Sequence, residues 1–341
     1  MRIQIGDINL LSLQDWNEYN LVYWLIGVLI ILYSLYYIII SQISDNKNNN
    51  PRRAVKIEPN LDYKIVSQDQ IEQTRDFLSQ LHALARHYYT NEIIGLNIFN
   101  VSGKLEYYIT STSNSSLISV SEALSKNKNL DVKIGQIFDW NNQEILKNLR
   151  ACYYSQVKLQ KKDYPIKHDS VTFSTGLINT LASVPSSGIA FTLLPYDYQS
   201  KFELKIRKLL HQKQNEKGML YVQEHNKIRA GRLTEKNKFP LFLTKIELFS
   251  QSKEQLKIIT SQFNSLSTGS NKFYSFGATK YNRQIIQNKI HCQYWFSWLM
   301  PKPHFYLNSS ELAYLWQPVK AGYIVSEQNY ADQTPYDLNA K

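Results

Sequence analysis

Cysteine is almost missing: Cys152 and Cys292 are the only two in 341 residues. Two such distant thiols exclude a disulfide framework and a Cys-rich metal knuckle, and they fit a reducing compartment. The common catalytic signatures are missing too. The Gly103-Lys104 pair is followed by Leu105, not Ser or Thr, so there is no P-loop to cradle phosphates. No H-E-x-x-H and no G-x-S-x-G occurs. His291, Cys292 and His304 do not have the spacing of a common metal site. His168, Asp169 and Ser170 are adjacent, whereas triad members converge from distant segments. The sequence therefore predicts a protein that is not an enzyme and takes no cofactor or metal.

Charge is absent between Glu18 and Asp45. The run from Leu21 to Ile43 would span ~35 Å as a helix, enough for a hydrocarbon core. Trp16, Tyr23 and Trp24 lie near one end and Tyr33, Tyr36 and Tyr37 towards the other, as interfacial rings do. The residues before the run are acidic and no A-x-A site follows, which argues against a cleaved signal peptide. The expectation is a transmembrane helix over 21–43. Lys47, Arg52, Arg53 and Lys56 follow it and only Arg2 precedes it, so 1–20 should lie outside and the rest in the cytoplasm. That makes a single-pass protein of the inner or plasma membrane. The polar linker 44–60 would bring those four basic residues to anionic headgroups.

Beyond residue 60 the pattern is α+β: one N-terminal transmembrane helix, then a cytoplasmic part of two mixed α/β sandwich-like blocks. The first block, 61–165, opens with a helix capped by the Ser67/Gln70 pair. A hairpin follows, with strands around Ile94–Ile98 and Leu105–Ile109 and a turn at Gly103. A helix over 116–126 and a strand over 131–138 complete it. The second block, 166–320, has a helix over 173–184, a strand from Gly188 to Leu194 ended by Pro195, and a helix over 197–214. An irregular basic insertion, 214–238, leads to a strand over 241–249 and a helix capped by Ser252 and Gln255. A helix over 279–299 comes next. No fixed period relates the blocks.

The remaining signal is electrostatic. Residues 201–238 hold 11 Lys or Arg against 4 Glu. Lys201, Lys205 and Lys208 share a helix stripe beside the apolar Phe202, Ile206 and Leu209. With Arg229 and Arg232 they are the candidate contacts for DNA phosphates or another anionic surface.

Phe242, Ile246 and Leu248, then Asn271, then Leu307, Asn308, Glu311, Leu312, Ala313, Leu315 and Trp316 form a recognisable series. It resembles the membrane-anchored region that precedes the motor in conjugative, type IV secretion-type ATPases of the HerA/FtsK class. The resemblance covers most of 60–320. Gln317 and Pro318 depart from the histidine and proline usual there, and the motor itself has no counterpart. The resemblance implies that the last helix is the joint leading into a motor. It marks Asn308, Glu311, Leu312, Leu315 and Trp316 as candidate partner-docking residues. Pattern alone has Asn308 and Glu311 cap that helix and its apolar face pack on the chain's own core, with the tail 321–341 exposed.

The function expected on this basis is a non-enzymatic, membrane-anchored component of a conjugative DNA-transfer machinery, oligomeric in a membrane complex. It would dock a separate motor ATPase or other secretion-machine subunits and contact DNA through its basic face. The alternative is a bitopic assembly scaffold of a secretion system with no DNA contact.

Overall fold

The computed structural model of the protein describes residues 4–5, 8–9, 23–36, 53–60, 67–86, 93–101, 103–111, 114–126, 130, 132–140, 150–161, 164–166, 171–196, 199–211, 220–265, 271–275, 277–281 and 305–319. The chain divides into two compact units, Met1–Asn50 and Pro51–Lys341. In the first, strands β1 (Gln4–Ile5) and β2 (Ile8–Asn9) pair, and residues 23–36 form helix α1 with its apolar side chains exposed. This corrects the membrane expectation. Of the expected span, 21–22 and 37–43 lie outside the described residues. Among the described residues no helix is long and apolar enough to cross a membrane. The transmembrane span, and the single-pass localisation that rested on it, are not supported.

The second unit is built on a repeated pattern. Its first half runs β3 (Arg53–Pro59), α2 (Gln68–Ala85), β4 (Ile94–Val101), β5 (Lys104–Ser111), α3 (Asn114–Lys126) and β6 (Val132–Asp139). Its strands lie in the order β4-β5-β3-β6. The second half runs β7 (Tyr153–Leu159), α4 (Val171–Ser183), β8 (Ser187–Tyr196), α5 (Gln199–His211), α6 (Leu220–Lys236), β9 (Leu241–Ser250), α7 (Lys253–Ser265) and β10 (Phe273–Ser275). Its order is β8-β9-β7-β10. Both halves are the same β-α-β-β-α-β unit, the ferredoxin-like arrangement. They join edge to edge through β4 and β8, antiparallel from Ile94↔Leu193 to Asn100↔Ser187. The two expected blocks are thus halves of one antiparallel sheet. The repeat has no sequence period because the first hairpin closes at Gly103 (φ +86°), whereas α5 and α6 fill the corresponding link of the second.

Local chemistry sets these elements. Ser67 and Gln70 form the expected capping box. Gly103 N–H donates to Asn100 Oδ1 at 2.8 Å, and Asn100 Nδ2 donates to the carbonyls of Leu181 and Ala182. The tip of the first hairpin is thereby fastened to the end of α4. Ser252 caps α7 through Gln255 N–H, but the Gln255 side chain accepts from Ser250 instead of closing a box.

Three further expectations change. Residues 53–59 are not linker but an inner strand, paired with both β5 and β6. Ala54, Val55 and Ile57 are buried in it. Pro195 does not end β8, which continues to Tyr196. Beyond Leu193 the β8 ladder has only β9 as neighbour, an edge position that tolerates the missing N–H. Thr279–Lys280 is strand β11, paired with β7, not a helix start; residues 282–299 lie outside the described residues.

Helices α2, α3, α4 and α7 cover one face of the sheet. The main core lies between, with Phe77, Leu96, Ile109, Phe191, Ile246 and Ile259 buried in it. Strand β12 (Phe305–Asn308) pairs with the start of β9, Phe305↔Thr244 to Asn308↔Leu241. Helix α8 (Ser309–Leu315) then packs against both α2 and α4, bridging the two halves.

On the opposite face Phe99 lies over Gly188. A Cβ there would meet Phe99 Cδ1 at 2.3 Å and the Ile98 carbonyl at 2.9 Å. Gly188→Ala is expected to destabilise the fold by about 1–3 kcal/mol, read as a lower urea midpoint with unchanged slope.

Candidate functional site

The basic insertion is folded. Residues 220–236, expected to be irregular, form α6. Helices α5 and α6 pack together on the face of the sheet opposite the main helices. Phe202, Leu209, Ala230 and Leu233 bury against Leu241, with Tyr196 and Tyr306 alongside. The Tyr196 and Tyr306 rings sit 4.6 Å apart, and Phe202 meets Tyr306 edge-on at 5.7 Å. The apolar stripe of α5 thus holds the hairpin down as its spacing predicts.

The basic stripe is only partly outward. Lys208 is exposed and Lys205 half-buried; the Lys201 side chain lies outside the described residues. Arg207 and Lys227, which pattern reasoning passed over, are exposed. Arg229 and Arg232 stand on α6, not in a loop, and both are half-buried. Beside the cations, Leu204 and Ile228 are 53% and 55% exposed, so the hairpin surface is both basic and apolar.

The four candidate lipid contacts divide between described and undescribed residues. Lys47 and Arg52 lie outside the described residues. Arg53 opens β3, and Lys56 within it pairs with Glu106 at 2.9 Å. Strand pairing and this ion pair commit Lys56 to the sheet.

The docking candidates are corrected by burial. Asn308, Glu311, Leu312, Leu315 and Trp316 are all within 1% of full burial, and α8 presents none of them to a partner. Asn308 caps α8, with Glu311 N–H donating to Asn308 Oδ1 and Asn308 N–H to Glu311 Oε2, both at 2.8 Å. Glu311 also accepts from Ile166 N–H at 2.9 Å and from the Lys236 ammonium. Lys236 and Glu311 are both fully buried. Asn308 Nδ2 in turn donates to the Lys236 carbonyl at 3.1 Å.

Asn271 holds the neighbouring loop. Its Oδ1 accepts from Lys161 N–H at 3.0 Å, and its Nδ2 donates to the carbonyls of Lys161 and Tyr164 at 3.1 and 3.0 Å. Three residues of the resemblance, Asn271, Asn308 and Glu311, thus belong to one buried polar knot, and the apolar ones lie in the main core. Further bonds tie α8 to the first half: Thr74 Oγ1 donates to Gln317 Oε1 at 3.1 Å, and Tyr107 to the Val319 carbonyl at 2.9 Å. Sequence reasoning found Asn308 and Glu311 by their capping spacing. It missed Lys236, one basic residue among many, and Ile166, which contributes only its backbone.

The sheet face opposite the main helices carries one Lys-Glu-Tyr set per half, partly buried in the first and more deeply in the second. Lys56 and the Tyr108 hydroxyl meet Glu106, the hydroxyl donating at 2.7 Å. Lys245 and the Tyr154 hydroxyl meet Glu247 at 2.5 and 2.7 Å. Burial, and then the adjacent carboxylate, push both phenols far above the usual tyrosine range. Burial does the same to Tyr107. These hydroxyls are held as donors, not as nucleophiles.

No protein-family model matches the chain, and no curated protein matches it. Solved structures with some likeness include a heme-binding protein from Thermus thermophilus, at 8% identity and a TM-score of 0.21. A mutant chlorite dismutase from Candidatus Nitrospira defluvii in complex with cyanide has 7% identity and a TM-score of 0.19. Each comparison covers 71% of this chain and 95% of the other. Likeness at this level carries nothing over to this chain.

Two outcomes follow from the buried groups. Lys236→Met leaves Glu311 buried without its cation, and is expected to cost about 3–5 kcal/mol in urea unfolding. A phenol whose folded pKa is raised keeps its contribution below the unfolded value of 10.0 and loses it as pH rises beyond. Thermal stability should therefore fall above pH 10, with the buried tyrosines ionising only as the protein unfolds, seen as a cooperative rise in tyrosinate absorbance.

Proposed function

We propose that this chain is a non-enzymatic component of a conjugative DNA-transfer machine that contacts DNA through the α5–α6 hairpin and docks a separate motor ATPase. The observation that carries the reading is the placement of charge. Residues 201–238 hold 11 basic and 4 acidic side chains, a net +7 within a chain total of +11, of which Lys236 is answered by the buried Glu311. Helices α5 and α6, which make up most of that stretch, fill the link that breaks the symmetry between the two halves. Excess positive charge gathered on one added element suits a polyanion, bound by phosphate neutralisation and counterion release with little base readout. The resemblance to the region preceding conjugative motors supplies the biological setting. Its residues are spent on folding, so docking falls to other surfaces of the chain.

A second reading, an assembly scaffold without DNA contact, is favoured by the exposure of Leu204 and Ile228 on the same hairpin. The two readings separate experimentally. The full chain, titrated into labelled duplex DNA at about 50 mM salt, should bind and weaken steeply as salt rises. Replacing Lys205 and Lys208 together by Glu should weaken it further. No binding by the wild-type chain discards the DNA reading. Retention of a motor ATPase by that chain, lost on Leu204→Glu or Ile228→Glu, would then support the scaffold.

A further inference from the structure

Beside the hairpin, one aromatic ring collects two cations from different parts of the chain. Lys161 Nζ lies 5.1 Å from the centroid of the Tyr164 ring, and the Arg232 guanidinium carbon 5.7 Å from the same centroid. Lys161 and Tyr164 stand just after β7, and Arg232 on α6. Among the described residues no carboxylate pairs with either cation. Phe239 likewise meets two cations, Arg75 at 5.3 Å and Lys238 Nζ at 5.7 Å from its centroid, but there Arg75 Nε and one terminal nitrogen already donate to Asp76, so one of the two charges is answered within the protein.

The backbone of Lys161 and Tyr164 is fastened at several points. Asn271, itself buried, fixes the backbone of both Lys161 and Tyr164. Tyr164 N–H closes the turn on the Lys161 carbonyl at 3.2 Å. The loop continues to Ile166, whose N–H is fastened to Glu311. The ring packs against the hairpin's own core. A guanidinium resting on a ring keeps its N–H groups in the guanidinium plane, where they can still meet a phosphate as a fork. The ring faces hold the cations in place, so less side-chain freedom remains to be lost on binding.

We infer that Lys161, Tyr164 and Arg232 form a preorganised two-cation clamp for a phosphodiester of DNA lying on the hairpin. This rests on the DNA reading above and adds a site that the run of basic sequence does not reveal, since Lys161 lies far from it in the chain. The phosphate chemistry fits a nucleotide or free phosphate as well; the DNA backbone is assigned because the hairpin places further cations on the same insertion.

The test is salt-dependent binding of a labelled duplex and a labelled single strand to the full chain and to its Lys161→Ala, Arg232→Ala and Arg232→Lys variants. Each alanine variant should make the plot of log affinity against log salt shallower by about one. Arg232→Lys should keep the wild-type slope but bind more weakly, because the charge stays and the fork is lost. The clamp is overturned if all three variants match wild type while the Lys205/Lys208 double Glu variant loses affinity; the hairpin reading then stands alone. It is overturned together with that reading if the wild-type chain binds neither DNA. Displacement of DNA by inorganic phosphate at constant ionic strength, from wild type but not from Arg232→Ala, would overturn the assignment to a DNA backbone.

Discussion

A fully buried carboxylate is the constraint around which the second unit is arranged. Glu311 cannot remain ionised inside a protein without compensation, and the fold supplies three donors from three places. Lys236 comes from the end of α6, Ile166 N–H from the loop after β7, and Asn308 N–H from the cap of its own helix. Each can arrive only if its own element is in position. The ion pair thereby makes the seating of α8 conditional on the added hairpin and on the loop that Asn271 secures. Such a pair is weak evidence of net stability. Its effect is to penalise every arrangement in which one donor is missing.

The same helix works as a wedge. With α2 on one side and α4 on the other, it closes the helical layer where the two halves of the sheet meet. Trp316 seals the contact, its ring 6.1 Å from that of Phe77. On the outer face of the central strands, Phe99 and Ala190 are buried in a second, smaller cluster with Tyr108, Trp140 and Phe249, and the Lys-Glu-Tyr sets lie on the strands that flank it.

Much of the fold was legible in the sequence where one segment determines its own structure. The Ser67 and Asn308 caps, the Gly103 turn and the alternation of Phe242, Thr244, Ile246 and Leu248 are local, and they fall where their spacing puts them. Legibility failed where partners decide. Residues 53–59 read as linker because the Asn-rich run before them dominates the composition. The alternation of Val55 and Ile57 with Lys56 and Glu58 was the signal available. Residues 21–43 read as a membrane span because an uncharged run is judged by its length, whereas among the described residues no helix is long and apolar enough to cross a membrane. The docking residues were misjudged because a motif shows which residues recur, not which way they face. The insertion's charge was visible, its helix was not, and the meeting of Lys161, Tyr164 and Arg232 depends on contacts remote in sequence.

The unequal halves have a consequence for assembly. Two identical units related by a dyad present every surface twice, and a partner that fits one fits the other. Fusing the units into one chain frees each half to diverge. Here one half keeps a tight turn where the other carries a helical hairpin. The chain therefore offers its basic element once, on one side and in one orientation. A linear polymer laid across it meets a surface with a direction, something a symmetric pair of the same units cannot provide.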